Sequence, residues 1–251
     1  IALEADEYPY LQGIISSSEK NGVKVSLIPF YTRFMPAHPV YDEVGGVPLV
    51  NIRHIPLDNI GNAFLKRTLD IVGSLALIVL TSPLMLFAAV GVKLSSPGPV
   101  LFRQERVGLN KKPFYMYKFR SMRVNDRQTT GWSTNSDPRK TRFGSFIRKF
   151  SIDELPQFFN VLKGDMSLVG PRPELPFFVN QFKESVPLYM VKHQVRPGIT
   201  GWAQVNGFRG DTSIKGRIEH DIYYIENWTF LFDIKILFMT VFRFSNSEKL
   251  Q

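Results

Sequence analysis

Hydrophobic residues are concentrated in one uncharged run, Ile71 to Val92, which is interrupted at its middle by Ser82-Pro83. As a straight helix its 22 residues would extend about 33 Å, enough to cross roughly 30 Å of hydrocarbon. Basic residues flank the run on both sides: Lys66, Arg67, Lys93 and Arg103. Because basic flanks favour the cytoplasmic side of a membrane, both ends of the run prefer the same side.

The proline at the middle of this run narrows the choice of membrane geometry. Proline kinks a helix and frees one backbone carbonyl, which in lipid needs another donor such as the Ser82 hydroxyl. We predict a re-entrant membrane helix over about residues 69–94, with Ser82 and Pro83 at its kink. A kinked helix that spans the bilayer and a buried core helix remain open as alternatives.

The first 60 residues alternate between helical and strand patterns. A helix is predicted from Tyr8 to Lys20, ended by Asn21-Gly22, and strands are predicted over Val23–Phe30 and Val44–Ile52. We interpret residues 1–60 as the C-terminal part of an α/β, Rossmann-like domain. The glycine-rich phosphate fingerprint of such domains is missing, which favours a scaffold role for this part.

Residues 61–251 are predicted to form a second domain of mixed α+β class. It has a small hairpin, Val100–Phe102 with Phe114–Phe119 around a turn at Gly108–Lys112. Helices are predicted over Arg142–Phe150 and Phe177–Val195, the second interrupted at Pro187, while a polar loop over Asn125–Lys140 and residues 196–210 read as irregular. The aromatic stretch Ile218–Phe244 suits amphipathic helices that lie in the membrane interface. The fold class is therefore a mostly helical core with a re-entrant helix, surface-lying helices and one hairpin.

Composition points to an anionic partner and excludes several kinds of site. The 251 residues carry a net charge of +9, with 31 basic against 22 acidic side chains. Such a balance favours nucleic acid, anionic lipid or phosphorylated substrates. With no cysteine there is no disulfide framework and no thiolate metal site. No P-loop, HExxH or GxSxG motif occurs, and no nucleic-acid motif accompanies the basic charge.

Two adjacent carboxylates, Asp153 and Glu154, lie just before Pro156 and form the candidate catalytic pair. One carboxylate of such a pair can attack or take a proton while the other helps to hold a divalent metal such as Mg²⁺. The alternative is structural, because Ser151 and Glu154 fit a helix capping box. Pro156 complicates that alternative, since it disturbs the start of a regular helix.

A carboxylate that attacks a diphosphate needs nearby positive charge. At 4 Å two like charges repel by about 4 kcal/mol at an effective dielectric of about 20. Arg172 lies between two prolines, a stiff backbone that orders its planar guanidinium. The basic residues around the acid pair in sequence are Lys118, Arg120, Arg148, Lys149, Arg172 and Arg196.

Six strings along the chain resemble those of a known family. They are KRTLDI at residue 66, Ser82-Pro83, FRQERVG at 102, YKFRSM at 117, SIDELPQFFNVLKGDMSLVGPRPE at 151 and RPGITGWAQVNG at 196. Together they resemble the bacterial sugar transferase family, the monotopic phosphoglycosyltransferases, over roughly Phe64 to Phe244. The resemblance leads us to expect a fragment of a long-form member.

The resemblance implies roles for the candidate residues. Asp153 would be the nucleophile that forms a covalent phosphosugar intermediate, and Glu154 its partner, with Mg²⁺ beside both. Arg172 would contact the uridine nucleotide. Phosphate contacts are expected from Lys118, Arg120 and Arg196.

The same resemblance implies the substrates and the location. The enzyme would transfer a hexose-1-phosphate, galactose or glucose, from a UDP-sugar to undecaprenyl phosphate and release UMP. It would act at the cytoplasmic face of the bacterial inner membrane, in contact with membrane lipid and without nucleic acid; a homo-oligomer is open. The competing hypothesis is a non-catalytic, basic, membrane-attached scaffold or lipid-binding module.

Overall fold

A computed structural model describes most of the chain and divides it into two compact units, Ile1–His54 and Ile55–Gln251. The described residues are 9–21, 40–45, 47–51, 55–123, 139–208, 210 and 212–246. They are mostly helical, with three two-stranded sheets among them. The predicted strand Val23–Phe30 and most of the predicted loop Asn125–Lys140 lie outside the described residues.

In the first unit the helix α1 covers Leu11–Lys20 and ends at Asn21, which confirms the predicted stop. The strands β1, Val40–Val44, and β2, Val47–Asn51, form an antiparallel hairpin. The predicted strand Val44–Ile52 therefore corresponds to β2. The described residues of this unit do not test its Rossmann-like character, which stays a prediction.

The second unit contains the remaining helices and strands. Its helices are α2 Ile60–Ser95, α3 Arg142–Lys149, α4 Gln157–Lys163, α5 Pro176–Ser185, α6 Trp202–Val205, α7 Ile214–Glu226 and α8 Phe230–Asn246. Its strands are β3 Leu101–Val107, β4 Pro113–Phe119, β5 Ser167–Val169 and β6 Gly198–Thr200. Short 3₁₀ turns occupy Pro56–Asp58, Leu109–Lys111, Ile152–Glu154 and Tyr189–Gln194.

The long helix α2 has 36 residues and would extend about 54 Å if straight. It begins earlier than the predicted residue 69, because the Asn59 side chain accepts hydrogen bonds from the Gly61 and Asn62 amides and caps the first turn. Pro83 lies inside the helix without ending it. The Ser82 hydroxyl donates to the Val79 carbonyl at 2.8 Å, the carbonyl that proline leaves without its helical partner. This confirms the compensation expected from Ser82.

The surface of α2 is apolar and exposed along most of its length. Val79 and Leu80 are 72% and 75% exposed, and only 17% of its most hydrophobic 18-residue window is buried. Within the described residues α2 is the one helix long and apolar enough to cross a membrane. A patch of this size in water would be unfavourable, so the exposed face requires a covering of lipid or protein.

Both halves of α2 nevertheless pack against the rest of the second unit. In the first half, Arg67 donates to the Val161 and Leu162 carbonyls at the C-terminus of α4, at 2.6 and 2.7 Å. In the second half, Ala88 and Val92 are fully buried. They belong to a hydrophobic cluster with Phe119, Ile147 and Ile152. The two ends of the apolar helix are thus attached to one body.

The predicted hairpin is confirmed and is longer than expected. β3 and β4 pair antiparallel from Leu101↔Phe119 to Val107↔Pro113, around the turn expected at Gly108–Lys112. Residues 196–210 were wrongly predicted to be irregular throughout, because β6 pairs parallel with β5 and α6 follows it. The parallel pair brings together two segments that are about 30 residues apart, which a local pattern of three apolar residues does not reveal.

The aromatic stretch forms two helices, α7 and α8, as the prediction of helices over Ile218–Phe244 requires. On α8, Ile236 and Asp233 are fully buried while Leu231, Val241 and Phe242 are 66–75% exposed. The helix therefore presents one apolar face to the core and another to the outside. The predicted helix over Phe177–Val195 is likewise confirmed as α5 and a 3₁₀ turn on either side of Pro187.

Helix α3 approaches the chain after β4 so closely that Gly144 has no space for a side chain. A Cβ atom there would overlap the Ser121 carbonyl oxygen. We expect Gly144→Ala to lower the free energy of unfolding by about 1–3 kcal/mol, because rigid backbone has to move. Thermal unfolding of the detergent-solubilised protein measures this. Gly13→Ala is the control, because a Cβ there meets nothing within 4 Å. Equal melting temperatures for both variants would contradict the close approach.

Candidate active site

The backbone around the acid pair is irregular. Ser151 has a left-handed conformation with φ 53°, and Ile152–Glu154 form a single 3₁₀ turn before α4. The Ser151 side chain makes no capping hydrogen bond, so the capping-box alternative is wrong. Pro156, at the start of α4, has no amide hydrogen and thus favours a turn over a continuous helix here.

Asp153 is 6% exposed, which is unusual for a carboxylate. Burial, together with the neighbouring Glu154 carboxylate, raises the pKa of Asp153 to about 6, while Lys118 and Arg148 act in the opposite direction. A buried carboxylate that lacks full hydration is more nucleophilic once it is ionised, because fewer water molecules have to be removed. The arrangement suits a carboxylate that reacts at neutral pH.

Glu154 joins the acid pair to two of the predicted basic residues. The Lys118 ammonium on β4 lies 2.7 Å from Glu154 Oε1, and Arg172 Nη2 lies 3.7 Å from the same oxygen. The Glu154 side chain is 25% exposed, so both contacts are only partly screened by solvent. Two elements that are distant in sequence thus place positive charge beside the acids, as expected for Lys118 and Arg172.

A shallow pocket opens at this point. It is lined by Arg106, Met116, Glu154, Gln157, Arg172, Pro173, Gly198 and Ile199. A second, more open depression beside α1 is lined by Gly13, Ile14, Ser17, Ser18 and Asn21. That depression has no charged side chain in its lining, so the first pocket is the candidate active site.

Arg106 is a pocket residue that the sequence analysis did not single out. Its Nη2 donates to the Gln104 side chain at 2.7 Å and its Nη1 to the Pro173 carbonyl at 3.4 Å, while its buried Nε has no hydrogen-bond partner. Burial, with a contribution from Arg172, lowers the pKa of Arg106 to about 10. Two guanidinium groups that repel each other in one pocket favour an anionic ligand. The string FRQERVG contains two arginines, Arg103 and Arg106, and the alternation along β3 does not show which of them lines the pocket.

Two other predicted phosphate ligands make structural contacts. Arg120 is buried and donates to the Pro97 and Ser96 carbonyls at 2.7 and 2.6 Å, just after the end of α2. Arg196 donates through Nε to the Gly164 carbonyl at 3.0 Å, after the end of α4. Neither lines the pocket, and Asp153 and Lys118 are not in its lining either, but Asp153 is adjacent to the lining residue Glu154 and Lys118 contacts it. Basic groups stabilise helix C-termini by donating hydrogen bonds to the free carbonyls there. The predicted phosphate contacts of Arg120 and Arg196 therefore stay a prediction without support from the geometry.

The segment that carries Arg172 is held on its C-terminal side as well. Glu174 is buried, its carboxylate lies 2.9 Å from Arg217 Nη1 and 3.7 Å from Lys192 Nζ, and its backbone carbonyl accepts from the Val107 amide. The charge of Glu174 is therefore compensated within the fold. This fixes the residue two positions after Arg172.

The acid pair fits a metal ion only if the substrate supplies further ligands. The described residues contain no group of three or more His, Cys, Asp or Glu side chains that could hold a metal ion. Mg²⁺ is commonly bound by one or two carboxylates together with water and substrate phosphates. Asp153 and Glu154 match that donor set, although Glu154 also pairs with Lys118.

Comparison with known proteins shows a family match and several similar sequences. The sequence profile of the family "Bacterial sugar transferase" matches residues 61–247. A UDP-glucose:undecaprenyl-phosphate glucose-1-phosphate transferase of Escherichia coli (strain K12) is 44% identical over 249 residues, which cover 97% of this chain and 53% of the relative. A UDP-N-acetylgalactosamine-undecaprenyl-phosphate N-acetylgalactosaminephosphotransferase of Aeromonas hydrophila is 50% identical over 202 residues, 76% of this chain and 48% of the relative.

A third relative is shorter. The UDP-glucose:undecaprenyl-phosphate glucose-1-phosphate transferase of Caulobacter vibrioides is 45% identical over 191 residues, 74% of this chain and 72% of the relative. The chain spans about half the length of the first two relatives. The profile covers most of the second unit, including the acid pair, the Arg172 segment and α2. The predicted family is therefore confirmed: the chain belongs to the bacterial sugar transferase family.

Proposed function

We propose that the protein transfers a hexose-1-phosphate from a UDP-sugar to polyprenyl phosphate, undecaprenyl phosphate in bacteria, and releases UMP. The observation that carries this proposal is the buried carboxylate of Asp153 next to Glu154. Glu154 contacts both Lys118 and Arg172 and lines the pocket. Family membership supports the reaction class, since relatives are named as undecaprenyl-phosphate sugar-phosphate transferases.

In the proposed first step, a carboxylate oxygen of Asp153 attacks the phosphorus that bears the sugar. A phosphorus–oxygen bond forms to Asp153, the bond to the UMP oxygen breaks, and UMP leaves with the bonding electrons. Arg172 and Arg106 would neutralise charge on the diphosphate, and Lys118 would do so on the Glu154 side. The like-charge repulsion described above would then be offset by groups already in place.

In the proposed second step, the terminal phosphate oxygen of polyprenyl phosphate attacks the same phosphorus. The bond to Asp153 breaks, which restores the carboxylate and gives a polyprenyl-diphosphate sugar. Two displacements at one phosphorus constitute a ping-pong scheme. The nucleotide product leaves before the lipid reacts, so both half-reactions can use the same carboxylate.

Mg²⁺ is proposed as the cofactor, held by Asp153 and Glu154 together with the diphosphate. When bound, the ion would lower the negative charge on the reacting phosphoryl group. The donor set described above is compatible with this, because Mg²⁺ retains several ligands outside the protein.

The re-entrant geometry of α2 is also proposed. Its support is that Arg67 in the first half and Val92 in the second half contact one body, while the apolar surface between them is exposed. A helix that crossed the bilayer straight would put those two contacts on opposite sides of about 30 Å of hydrocarbon. The exposed apolar face of α8 suits a position in the interface plane. We therefore propose attachment at the cytoplasmic face of the inner membrane.

The sugar is proposed as glucose or galactose. Relatives with similar identity are named for glucose and for N-acetylgalactosamine, so sequence similarity at this level does not distinguish the donors. A panel of UDP-sugars in a radiolabel transfer assay identifies the donor.

Asp153→Asn is expected to abolish the covalent intermediate, because an amide oxygen is a poor nucleophile toward phosphorus. With labelled UDP-sugar and no lipid acceptor, the wild-type protein should gain one sugar-phosphate at Asp153, detected by mass spectrometry of its peptides. UMP release by the variant should fall at least about 10³-fold.

A wild-type protein without this adduct, or an Asp153→Asn variant with near-normal turnover, would contradict the proposed nucleophile. Liposome binding without UMP release from any UDP-sugar would favour the scaffold hypothesis. Asp165→Asn serves as a control, because Asp165 is an acid of the same segment whose carboxylate accepts from Asn160 Nδ2 at 3.3 Å and is not adjacent to the Glu154 group of contacts.

The buried Asp153 should also make the protein less stable as pH rises. The unfolded chain releases this proton near pH 4, whereas burial raises the pKa of Asp153 to about 6 in the fold. Between these values the folded state binds more protons than the unfolded state, so ionisation of Asp153 lowers the free energy of unfolding. Asp153→Asn should therefore be more stable than wild type at pH 7.5, by about 3 kcal/mol at most, and equally stable near pH 4.

Thermal unfolding of both proteins between pH 4 and 8, with divalent cations chelated, measures this difference. Glu184→Gln is the matched control, since the Glu184 side chain is 80% exposed and should give the same pH dependence as wild type. A difference between wild type and Asp153→Asn that does not change with pH would show that Asp153 is not buried as described.

The re-entrant proposal predicts that both ends of α2 are accessible from the same side. Because the chain has no cysteine, single cysteines can be introduced at the exposed positions Asp58 and Pro99, which flank the helix. A membrane-impermeant maleimide applied to inverted inner-membrane vesicles should label both variants equally, and intact spheroplasts should label neither. Labelling of the two positions from opposite sides would show a spanning helix.

A further inference from the structure

The strand that leads into Arg172 is held by side chains from α2 and α7. The Leu168 amide donates to Asp70 Oδ1 at 2.9 Å. The Val169 carbonyl has three donors within hydrogen-bond distance: Lys66 Nζ at 3.0 Å, the Ser167 hydroxyl at 2.9 Å and the Tyr224 hydroxyl at 3.1 Å. Each hydroxyl has one proton, which Ser167 shares with Asp70 and Tyr224 shares with Asp233. Two consecutive residues of β5 are thus fixed by three buried side chains.

The next two peptide groups are fixed by β6. The Gly170 amide donates to the Thr200 carbonyl at 2.8 Å, and the Pro171 carbonyl accepts from the Gly198 amide at 2.9 Å. Arg172 follows directly, between two prolines whose rings restrict the backbone. The backbone of every residue from 168 to 171 is therefore hydrogen-bonded to a group outside this segment. Arg172 is the first residue of the segment whose side chain lines the pocket.

One carboxylate orders two of the donors to the Val169 carbonyl, Lys66 and Tyr224. Asp233 on α8 accepts from Lys66 Nζ at 2.7 Å through Oδ2 and from the Tyr224 hydroxyl at 2.8 Å through Oδ1. Asp233 is fully buried, and the Lys66 side chain is 8% exposed. A buried charge that loses its partner is strongly unfavourable, so this network has one stable arrangement.

The residues of α2 in this network form a polar face near the N-terminal end of an apolar helix; we call this part, Lys66 to Ser74, the foot of α2. Lys66, Asp70 and Ser74 are spaced four residues apart and are each at most 6% exposed. The Asp70 carboxylate also accepts from the Ser167 hydroxyl at 2.9 Å. The mechanism proposed above uses none of these side chains. Other side chains in and beside this part of α2 are apolar and exposed, with Phe64 at 73% and Val72 at 61%.

We propose that the foot of α2 positions the nucleotide-binding arginine of the active site. The positioning residues are Lys66, Asp70, Tyr224 and Asp233. They touch no substrate and act through β5 on Arg172. The affinity for the UDP-sugar therefore depends on how α2 packs against the core. The inference rests on the proposed role of Arg172 in binding the donor.

Tyr224→Phe tests this with the smallest change, because it removes one hydroxyl and keeps the ring. In the full chain reconstituted in lipid, we expect KM for the UDP-sugar to rise about five- to tenfold, the effect of one lost hydrogen bond. The value of kcat and the KM for polyprenyl phosphate should change less than about twofold. Tyr223→Phe is the matched control on the same helix, since Tyr223 is 52% exposed, and should change none of these constants.

A double-mutant cycle with Arg172→Lys separates positioning from general loosening of the fold. If Tyr224 acts through Arg172, adding Tyr224→Phe to Arg172→Lys should raise KM for the donor by less than about twofold more. Effects that multiply, or an unchanged KM in Tyr224→Phe alone, would overturn the proposal.

Hydrogen exchange gives a readout that does not need activity. The peptide covering residues 167–175 should exchange faster in Tyr224→Phe than in wild type or Tyr223→Phe, because the segment loses one anchor. Equal exchange in all three proteins would overturn the positioning role. If wild type releases no UMP from any UDP-sugar, the proposed function fails, and the exchange rates still decide whether the network orders the Arg172 segment.

Discussion

An ion pair shielded from water, Lys66 with Asp233, connects the parts of the second unit on which the candidate site depends. It joins the foot of the apolar helix α2 to α8, and through the Val169 carbonyl it reaches the segment of Arg172. Charges in such a place are stable only as a complete network, which here includes the Tyr224 hydroxyl. Because these buried charges are unfavourable without their partners, we expect the network to hold the backbone before Arg172 in one conformation.

Lys118 and Glu154 at the candidate active site also compensate each other's charge, but they are less buried than Lys66 and Asp233. Glu154 contacts Lys118 and Arg172, so the charge of this acid is compensated. Within the part of the chain that the structure describes, Asp153 forms no ion pair. Burial then raises the pKa of Asp153. The two neighbouring carboxylates thus differ in environment, which is the condition under which one of them can react while the other holds charge in place.

In the proposed arrangement, α2 would link this chemistry to the membrane. Its exposed apolar surface requires a covering of lipid or protein, and both of its halves contact the same core that carries the acids and arginines. Substrates of opposite solubility, a nucleotide sugar and a lipid phosphate, would meet near the plane where the helix enters. In this proposal the position of Arg172 depends on the packing of α2 against the core.

Much of the site was set by local sequence, because its residues lie in short strings with unusual chemistry. Asp153 and Glu154 before Pro156, Arg172 between two prolines, and Ser82 beside Pro83 each followed from neighbouring residues. Sequence also gave the helix boundaries near Asn21 and residue 142, where caps and stops act within one turn.

The tertiary structure alone decided which basic groups meet the acids. Arg106 enters the pocket while Arg120 and Arg196 bond to backbone carbonyls, although all three lie in similar basic strings. The β5–β6 pair and the Lys66–Asp233 pair join residues about 30 and 167 positions apart. Contacts at such separations depend on how helices and strands pack, and no local periodicity records them.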